Sequence, residues 1–499
     1  MRLVSPADVR AADARAAELG VPATRLMEAA GGAVADAVRA SWPDVRRPLL
    51  LCGPGDNGGD GYVAARLLAD AGLEPRVLAL DPEASKSEAA EAARHAWAAR
   101  ATIERLDVAA LHAALDRADL VVDGLFGSGL DRALHGGAAR VVRRLGRWSG
   151  PVLAIDVPSG IDAGRAVPPG DHVRADMTVQ LAWACPASAL APARFAFGEA
   201  IVADIGMPDG ALADAERPER VDDEALRAWP AAGPAAHKYQ AGAVVIAAGS
   251  PRYAGAAELA CRGAHRGGAG LVTLLTDAPH PQRWPESIVI ELDEGAGALT
   301  RALAEVPRRQ QAARVLGPGL AEDRIPELVH GLESDAVPTV LDAGALDPRL
   351  RAAVAARPGH WLTPHHGEAA RLLGVAASEV DRDPIAAARR LADAWSCGVV
   401  LKSAGAVIAA PDGRVRVVAA GHPAMASGGT GDVLAGALGA ALAAPHEDEL
   451  ARVVAAVQAH ARAGEVAAAR FGRGARASDL ADALPLVLDG RIGRSPGAW

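Results

Sequence analysis

Apolar runs of strand length recur along the chain, and helical patterns separate several of them. In the first half the runs cover residues 48–52, 76–80, 119–122 and 152–155, with helical patterns at 64–71 and 108–115. In the second half they cover residues 243–247, 271–276, 314–316, 339–341, 361–362 and 398–401. Such alternation is typical of sheets built from parallel strands with helices between them. The pattern therefore predicts an α/β fold with one sheet in each half.

The two halves are separated by a stretch that lacks sustained apolar periodicity. This stretch, around residues 207–236, is rich in Ala, Pro and charged residues, which is typical of a connecting segment. A chain of 499 residues also exceeds what one hydrophobic core usually serves. We predict a first domain over residues 1–215, a linker over 216–235 and a second domain over 236–499.

Charge and composition exclude several classes of partner. The net charge is −9, and the Arg residues are interspersed with Asp and Glu, so the chain carries no basic stripe for nucleic acid. No apolar stretch approaches the roughly 18 residues of a membrane span, and the charged first ten residues do not resemble a secretory signal. We therefore expect a cytoplasmic protein. The four cysteines show no paired spacing, so buried thiols are favoured over a disulfide or zinc site.

Glycine-rich segments follow three strands of the first half: GDNGGDG at residues 55–61, DGLFGSGL at 123–130 and DVPSGID at 156–162. The first is predicted to lead into a helix starting near Tyr62, and such a junction suits a phosphate because backbone N–H groups and the helix dipole face it. Loops at the carboxyl ends of parallel strands converge on one crevice. We expect one site that collects Asn57, Asp123, Asp156 and Ser159.

The second half carries its strongest motif late, in SGGTGD at residues 427–432, which opens an Ala- and Leu-rich helix. Amides at this helix start can stabilise charge on a transferring phosphoryl group, and Asp432 can accept the proton of an attacking hydroxyl. Other motifs follow earlier strands and are predicted to meet at the same sheet edge, namely GPGL at 317–320, LDAGAL at 341–346, TPHHGE at 363–368 and LKSAG at 401–405.

The three first-half motifs, preceded by LMEAAG at residues 26–31, resemble the NAD(P)H-hydrate epimerase family over about residues 1–215. The resemblance implies a Rossmann-like three-layer sandwich, Asp156 as the acid/base, and a potassium ion held by Asn57, Asp123 and Ser159. It also implies that the hydrated dinucleotide is bound by Asp56, Asn57, Gly58, Gly59, Asp60, Gly127, Ser128, Gly129, Leu130, Asp131, Arg132 and Ala133.

This half departs from the family pattern at two points. Asp56 stands where the family usually has Asn, and the segment 185–188 lacks a lysine commonly found there. Both departures are expected to weaken epimerisation. At position 56 the reason is that the negative charge of Asp56 lies beside the expected phosphate or cation.

The second-half motifs, with His237 and Lys238 ahead of them, resemble the NAD(P)H-hydrate dehydratase family, which has a ribokinase-like α/β sandwich. The resemblance implies that Asp432 is catalytic, that Glu368 helps to hold magnesium, and that the hydrated cofactor is bound by Ala256, Gly319, His365 and Asp432. It implies an adenine nucleotide site at Lys402, Ser403, Ala404, Gly405, Ala406 and Gly431. Gly344 departs from the family, which often has Asp there.

Together the resemblances imply a bifunctional enzyme that repairs hydrated NADH and NADPH (NADHX and NADPHX). The first domain would epimerise the R and S hydrates with potassium, and the second would dehydrate the S hydrate with ADP and Mg²⁺, giving AMP and phosphate. Self-association is a further implication of the resemblance.

Alternatives stay open at this point. A vitamin-alcohol kinase of the ribokinase fold would use the same helix start and Asp432, and the first domain could bind a ligand or partner without catalysis. An NAD-dependent oxidoreductase is disfavoured because no GxGxxG stands between a strand and a helix, and a purely structural protein would not need these glycine loops. His366 and His460 are interpreted as structural histidines.

Overall fold

The computed structural model describes residues 1–230, 237–278, 286–444 and 448–490. The chain divides into two compact units, Met1–Arg217 and Pro218–Trp499. No helix in the described part of the chain is long and apolar enough to cross a bilayer.

The first unit is built on one seven-stranded sheet. Its strands are β1 (Pro48–Cys52), β2 (Arg76–Ala79), β3 (Ile103–Arg105), β4 (Leu120–Gly124), β5 (Val152–Ile155), β6 (Met177–Leu181) and β7 (Glu199–Ala203). Its helices are α1 (Pro6–Glu18), α2 (Ala23–Ser41), α3 (Asp56–Asp70), α4 (Glu88–Ala98), α5 (Val108–Leu115) and α6 (Gly136–Leu145). The strands are all parallel and lie in the order β3-β2-β1-β4-β5-β6-β7.

Alternate residues of each strand face opposite layers of helices. Leu50 and Cys52 of β1 pack with α2, α3 and α4, whereas Leu49 and Leu51 pack with α5 and α6. Strands covered on both faces are apolar throughout, which is why β1 reads as one continuous apolar run. The predicted Rossmann-like three-layer sandwich is confirmed.

The second unit has a ten-stranded sheet. Its strands are β8 (Glu219–Val221), β9 (Ala243–Ala247), β10 (Leu271–Thr276), β11 (Ser287–Glu291), β12 (Ala313–Leu316), β13 (Thr339–Leu341), β14 (His360–Leu362), β15 (Gly398–Leu401), β16 (Ala406–Ala409) and β17 (Val415–Val418). Its helices are α7 (Ala254–Arg266), α8 (Ala298–Glu305), α9 (Leu328–Ser334), α10 (Arg351–Ala355), α11 (His366–Leu373), α12 (Ala377–Arg382), α13 (Pro384–Trp395), α14 (Thr430–Ala443), α15 (Glu449–Phe471) and α16 (Ala477–Leu488).

The strand order in this sheet is β11-β10-β9-β12-β13-β14-β15-β16-β17-β8. The strands are parallel except that β16 runs antiparallel to both β15 and β17. One face of the sheet packs against α7, α14 and α15, and α13 packs against β15 and β16. The carboxyl ends of β12 to β15 therefore lie side by side, and the predicted α/β fold is confirmed in this unit as well.

The segment 216–235, predicted as a linker, contains a strand and a helical turn. Residues 219–221 form β8, which pairs with β17. The helical turn Asp223–Ala228 follows, and the Asp223 carboxylate accepts hydrogen bonds from Gln458 (2.7 Å) and Arg462 (2.7 and 3.0 Å) of α15. The linker prediction is corrected here, because pairing with an existing sheet edge orders a strand too short to show periodicity. Residues 231–236 lie outside the described residues.

Helices α7 and α14 pack backbone against backbone. A Cβ atom added at Gly263 of α7 would lie 2.2 Å from the Val433 carbonyl oxygen, and one at Gly436 of α14 would lie 1.9 Å from the Ala260 carbonyl oxygen. Only glycine permits this approach. The packing fixes the start of α14 relative to the sheet.

We predict that Gly263→Ala lowers the free energy of unfolding of the second unit by about 1–3 kcal/mol, because overpacking forces the helices apart. Gly255→Ala, in the same helix, is the matched control, since its Cβ would meet nothing within 4 Å. This control should be neutral or slightly stabilising. Urea titration of both variants checks the prediction, and equal midpoints would contradict it.

Candidate active sites

The first glycine-rich segment lies where β1 meets α3. The helix begins at Asp56, so the predicted start near Tyr62 was wrong, and the predicted binding residues 57–60 lie in its first turns. Glycine is a poor helix former, which hid this start in the sequence. Bare backbone is required here, because a Cβ on Gly58 would lie 1.9 Å from the Gly53 carbonyl oxygen. The amides of the first turn suit an anion.

Asp123 and Ser159 form a buried pair at the ends of β4 and β5. The Ser159 hydroxyl donates to Asp123 Oδ1 at 2.7 Å, and the Ser159 amide donates to Oδ2 at 2.8 Å. The Phe126 amide donates to the Ser159 hydroxyl at 2.9 Å. Burial raises the pKa of Asp123 to about 6, although the hydrogen bonds from Ser159 oppose this.

Asp156 and Asn57 meet across Gly127. A Cβ on Gly127 would lie 2.9 Å from Asp156 Oδ2 and 3.1 Å from Asn57 Oδ1, so both side chains border this glycine. The Ser128 amide donates to Asp156 Oδ2 at 2.9 Å. Burial raises the pKa of Asp156, while the hydrogen bond from Ser128 opposes it. The buried Nδ2 of Asn57 has no hydrogen-bond partner among the described residues.

The rest of the predicted dinucleotide site continues the same loop between β4 and α6. It comprises Gly129, Leu130, Asp131, Arg132 and Ala133. The Leu130 amide donates to the Gly127 carbonyl at 3.2 Å, which turns the loop tightly. The side chain of Asp60 is buried. Its burial and the negative charges of Asp156 and Asp56 raise the pKa of Asp60 well above the usual value.

Local contacts accommodate the two departures in the first unit. The Ser87 hydroxyl, which caps α4, donates to the Asp56 carboxylate. Ala187, in the segment that lacks the lysine, is fully buried in a helical turn, and the Ser188 hydroxyl donates to the Cys185 carbonyl at 2.7 Å.

In the second unit, Asp342 and Lys402 form an ion pair between the ends of β13 and β15, on either side of β14. Lys402 Nζ lies 2.5 Å from Asp342 Oδ1, which also accepts a hydrogen bond from the Thr363 hydroxyl at 2.7 Å. Asp342 is 2% exposed and Lys402 is 20% exposed. Burial alone would lower the pKa of Lys402, but the carboxylates of Asp342 and Glu368 outweigh it and raise that pKa.

The first turn of α14 lies next to this ion pair. Gly429 has a left-handed backbone (φ +93°) and α14 begins at Thr430. A Cβ on Gly431 would lie 3.1 Å from Lys402 Nζ. Burial and the charge of Asp342 raise the pKa of Asp432 to about 7, and the Lys402 ammonium opposes this shift. A carboxyl, an ammonium and helix-start amides are therefore brought together as predicted.

Residues 402–406, the predicted nucleotide segment, form the turn from β15 into β16. The Ser403 hydroxyl donates to the Gly405 carbonyl at 2.9 Å, and Gly405 has φ +129°. Ala404 lies in the turn and Ala406 begins β16, a strand that the sequence pattern did not reveal.

Ala256 and Gly319 are brought into contact near the ends of β9 and β12. Gly319 is left-handed (φ +62°), and a Cβ there would lie 2.8 Å from the Cβ atoms of Ala256 and Tyr253. A side chain at position 319 would therefore collide with Ala256 and Tyr253, and the binding of the hydrated cofactor by Ala256 and Gly319 stays a prediction.

His365 and Glu368 cap the start of α11. The His365 Nδ1 accepts from the Gly367 amide at 3.0 Å, and the Glu368 carboxylate accepts from the His365 amide at 2.9 Å. The His365 ring is largely exposed beside Lys402, with which it forms a backbone bridge. His366 instead bonds Asp381 at 2.7 Å.

Three residues of the second site were missed as site residues. Asp342 and Thr363 lie inside predicted motifs but were given no role. An Asp directly after a strand is a signal that could have identified Asp342. His460, interpreted as structural, lies with Nε2 2.9 Å from the Thr430 carbonyl oxygen. Gly344, where the family often has Asp, lies on the exposed turn after Asp342.

Comparisons with known proteins decide the family. A family model described as NAD(P)H-hydrate dehydratase matches residues 244–486, and one described as YjeF-related protein N-terminus matches residues 23–187. The bifunctional NAD(P)H-hydrate repair enzyme Nnr of Escherichia coli (strain K12) is 35% identical, over 97% of this chain and 93% of its own. This chain belongs to the bifunctional NAD(P)H-hydrate repair enzymes.

A second curated relative agrees with this assignment. The repair enzyme Nnr of Thermanaerovibrio acidaminovorans is 36% identical, over 97% of this chain and 98% of its own. A solved structure of the ADP/ATP-dependent NAD(P)H-hydrate dehydratase from Bacillus subtilis, co-crystallized with ATP/Mg²⁺, is 29% identical and covers 55% of this chain and 99% of its own, with a TM-score of 0.47. The resemblance to a repair enzyme is confirmed, and the vitamin-kinase and oxidoreductase alternatives are set aside.

The ion pair of this repair enzyme should show strong coupling in stability. Lys402→Met leaves the Asp342 carboxylate buried without its ammonium, and we predict a loss of about 3–5 kcal/mol in the free energy of unfolding. Adding Asp342→Asn should recover more than about 1 kcal/mol relative to the sum of the single losses. Denaturant titration of all four proteins measures this coupling.

The matched control is the exposed pair of Arg414 and Asp412, which lie 2.8 Å apart on a turn of the same unit. Arg414→Met should cost only about 0–1 kcal/mol. Additive losses at Lys402 and Asp342, or a similar loss at Arg414, would contradict a buried, coupled pair.

Proposed function

We propose that the first unit interconverts the R and S hydrates of NADH and NADPH, and that the second unit dehydrates the S hydrate with ADP as the phosphate donor. The observation that carries the dehydration is the joint placement of Asp432, Lys402 and the first turn of α14 at the carboxyl ends of the strands. These groups suit phosphoryl transfer, which depends on positioning and electrostatics more than on covalent help from the protein.

In the second unit, Asp432 is the general base. Its carboxylate takes the proton of the hydrate hydroxyl as that oxygen attacks the terminal phosphorus of ADP, and the bond from phosphorus to the AMP oxygen breaks. The Gly431 amide and the Lys402 ammonium stabilise charge on the transferring group. The phosphate then leaves with the electron pair of its carbon–oxygen bond, assisted by the ring nitrogen, and the adjacent carbon loses a proton to water, which restores the ring double bond.

The residues present fit magnesium bound mainly through substrate phosphates. No three His, Cys, Asp or Glu side chains cluster for a metal in the part of the chain described. Mg²⁺ commonly needs only one or two protein carboxylates beside phosphates, and Glu368 lies close enough to raise the pKa of Lys402. When bound, the ion neutralises charge on the phosphates. Glu368 is the carboxylate that would hold it.

In the first unit, Asp156 is the group that moves the proton during epimerisation at the hydroxyl-bearing carbon. The Ser128 amide and the left-handed backbone (φ +62°) hold its carboxyl toward Gly127. Gly127 lies beside Asn57 in the first turn of α3, which supports a dinucleotide site there.

Asn57, Asp123 and Ser159 fit a potassium ion in this unit. Asp123 and Ser159 supply oxygen atoms, the ligands that hard cations prefer, and the Asn57 amide is buried with an unpartnered Nδ2. A rotated Asn57 amide would turn its oxygen to a cation. The ion would supply positive charge beside Asp123, whose burial otherwise raises its pKa.

The dehydration is tested by recovery of dihydronicotinamide absorbance from mixed hydrate epimers, with ADP, ATP or no nucleotide supplied in parallel. We predict recovery with ADP in the wild type and a loss of about 10²–10⁴-fold in kcat for Asp432→Asn. The wild-type kcat should rise with pH through a midpoint near 7, because Asp432 must be ionised. Asp342→Asn should move this midpoint down, since the Asp342 charge raises the pKa of Asp432.

Three results would overturn these assignments: no recovery with any nucleotide, an Asp432→Asn variant at wild-type rate, or recovery with ATP alone. The last would reject ADP as the donor while leaving dehydration in place.

The epimerisation is tested with Asp156→Asn, because Asn tolerates a positive φ and keeps the size of the side chain. We predict that the variant dehydrates the S hydrate normally and that recovery stops when the S form is used up. Asp162→Asn, in the same loop, is the matched control; its Oδ1 accepts from the Gly164 amide at 2.9 Å. Full recovery by Asp156→Asn would show that the first unit epimerises without Asp156.

A further inference from the structure

One buried histidine in the second unit has no part in the reaction described so far. His460 lies in the middle of α15 and is 8% exposed. Its Nε2 is 2.9 Å from the carbonyl oxygen of Thr430, the first residue of α14. A carbonyl oxygen can only accept, so Nε2 carries the proton and donates it.

The acceptor of this hydrogen bond is half of a peptide unit whose other half faces the site. In a planar trans peptide, the Thr430 carbonyl and the Gly431 N–H are held rigidly in opposite directions. A donor fixed on the carbonyl oxygen therefore fixes the direction of the Gly431 N–H. That N–H belongs to the first turn of α14, where amides have no partner within the helix. The Gly431 α-carbon faces the site, since a Cβ there would lie 3.1 Å from Lys402 Nζ.

We infer that His460 is a positioning residue for dehydration, which orients the Gly431 amide toward the transferring phosphoryl group through the Thr430–Gly431 peptide. The inference rests on the proposed role of that amide. Hydrogen bonding to the carbonyl also polarises the peptide, which makes its N–H a better donor.

Two surrounding features support this role. Burial lowers the pKa of His460 to about 4, and the positive charge of Lys402 acts in the same direction. The ring therefore stays neutral and keeps a single tautomer at neutral pH. The Thr430 hydroxyl lies 3.1 and 3.2 Å from the carbonyl oxygens of Met425 and Ser427, so this side chain holds the preceding loop. His460 adds an independent restraint on the peptide that follows.

The test compares His460→Leu, which removes the donor, with His460→Gln, which can return an N–H at a similar reach. For His460→Leu we expect kcat for ADP-driven dehydration to fall about tenfold, less than the 10²–10³-fold cost of removing an oxyanion donor itself. The KM for the hydrate should stay within about threefold, because ground-state binding is unchanged. His460→Gln should recover most of kcat. Epimerisation by the same chain should not change.

His360→Leu is the matched control. His360 is 1% exposed and stands at the amino end of β14, on the side of the sheet away from the strand ends that carry the site. Its replacement should not lower kcat. If His460→Leu does not fold, His460→Asn, which is polar but too short to reach Thr430, takes its place against His460→Gln.

Unchanged kcat in the donor-free variant, equal kcat in the donor-free and Gln variants, or the same loss in His360→Leu would each overturn the inference. A wild-type chain that does not dehydrate the hydrate with any nucleotide would instead reject the proposed function itself. The two failures are thus distinguished by the wild-type rate.

Discussion

Close approach of bare backbone is the constraint on which both sites depend. In the first unit, Gly58 lets α3 start against the Gly53 carbonyl, and in the second, Gly436 lets α14 lie against the Ala260 carbonyl. Contacts of about 2 Å to a would-be Cβ exclude every other residue at these positions. In each unit they place a helix N-terminus at the carboxyl ends of parallel strands, which is where this architecture binds ligands. The chemistry is therefore positioned by packing that involves no catalytic side chain.

The two sites handle buried negative charge in different ways. In the second unit the Lys402 ammonium pairs with Asp342 and restrains the rise in the pKa of Asp432. In the first unit, Asp123 is stabilised by hydrogen bonds from Ser159, and its pKa still rises to about 6. An unpaired buried carboxylate is costly unless a cation or proton accompanies it. The first site therefore has the stronger electrostatic need for a bound cation, whereas the second carries its own.

The sequence predicts several of the strands that are buried on both faces, although it misses the buried strands β6 and β16. The bounds of β1, β5, β9, β10, β13 and β15 match the predicted runs, because strands covered by helices on both sides are continuously apolar. Edge strands such as β7, with Glu199 and Ile201 exposed, carry no such run and were missed. Motifs likewise place Asp342 and Lys402 at one sheet edge. The ion pair between Asp342 and Lys402 depends on β14 lying between β13 and β15, and no local sequence pattern encodes that strand order.

The left-handed backbone at Asp156 shows how strongly the geometry of the first site is fixed, although Asp56 and the segment 185–188 depart from the family pattern. A residue other than glycine in this region costs of order 1–3 kcal/mol, and it persists only where the surroundings fix it. Here the Asp156 amide donates to the Val179 carbonyl at 2.7 Å and the Ser128 amide holds the carboxyl, so the strained residue is fixed at both ends. Asp56 is tied to Ser87, outside this arrangement. The added charge at Asp56 therefore leaves the geometry of Asp156 intact, and its effect on epimerisation is limited to electrostatics.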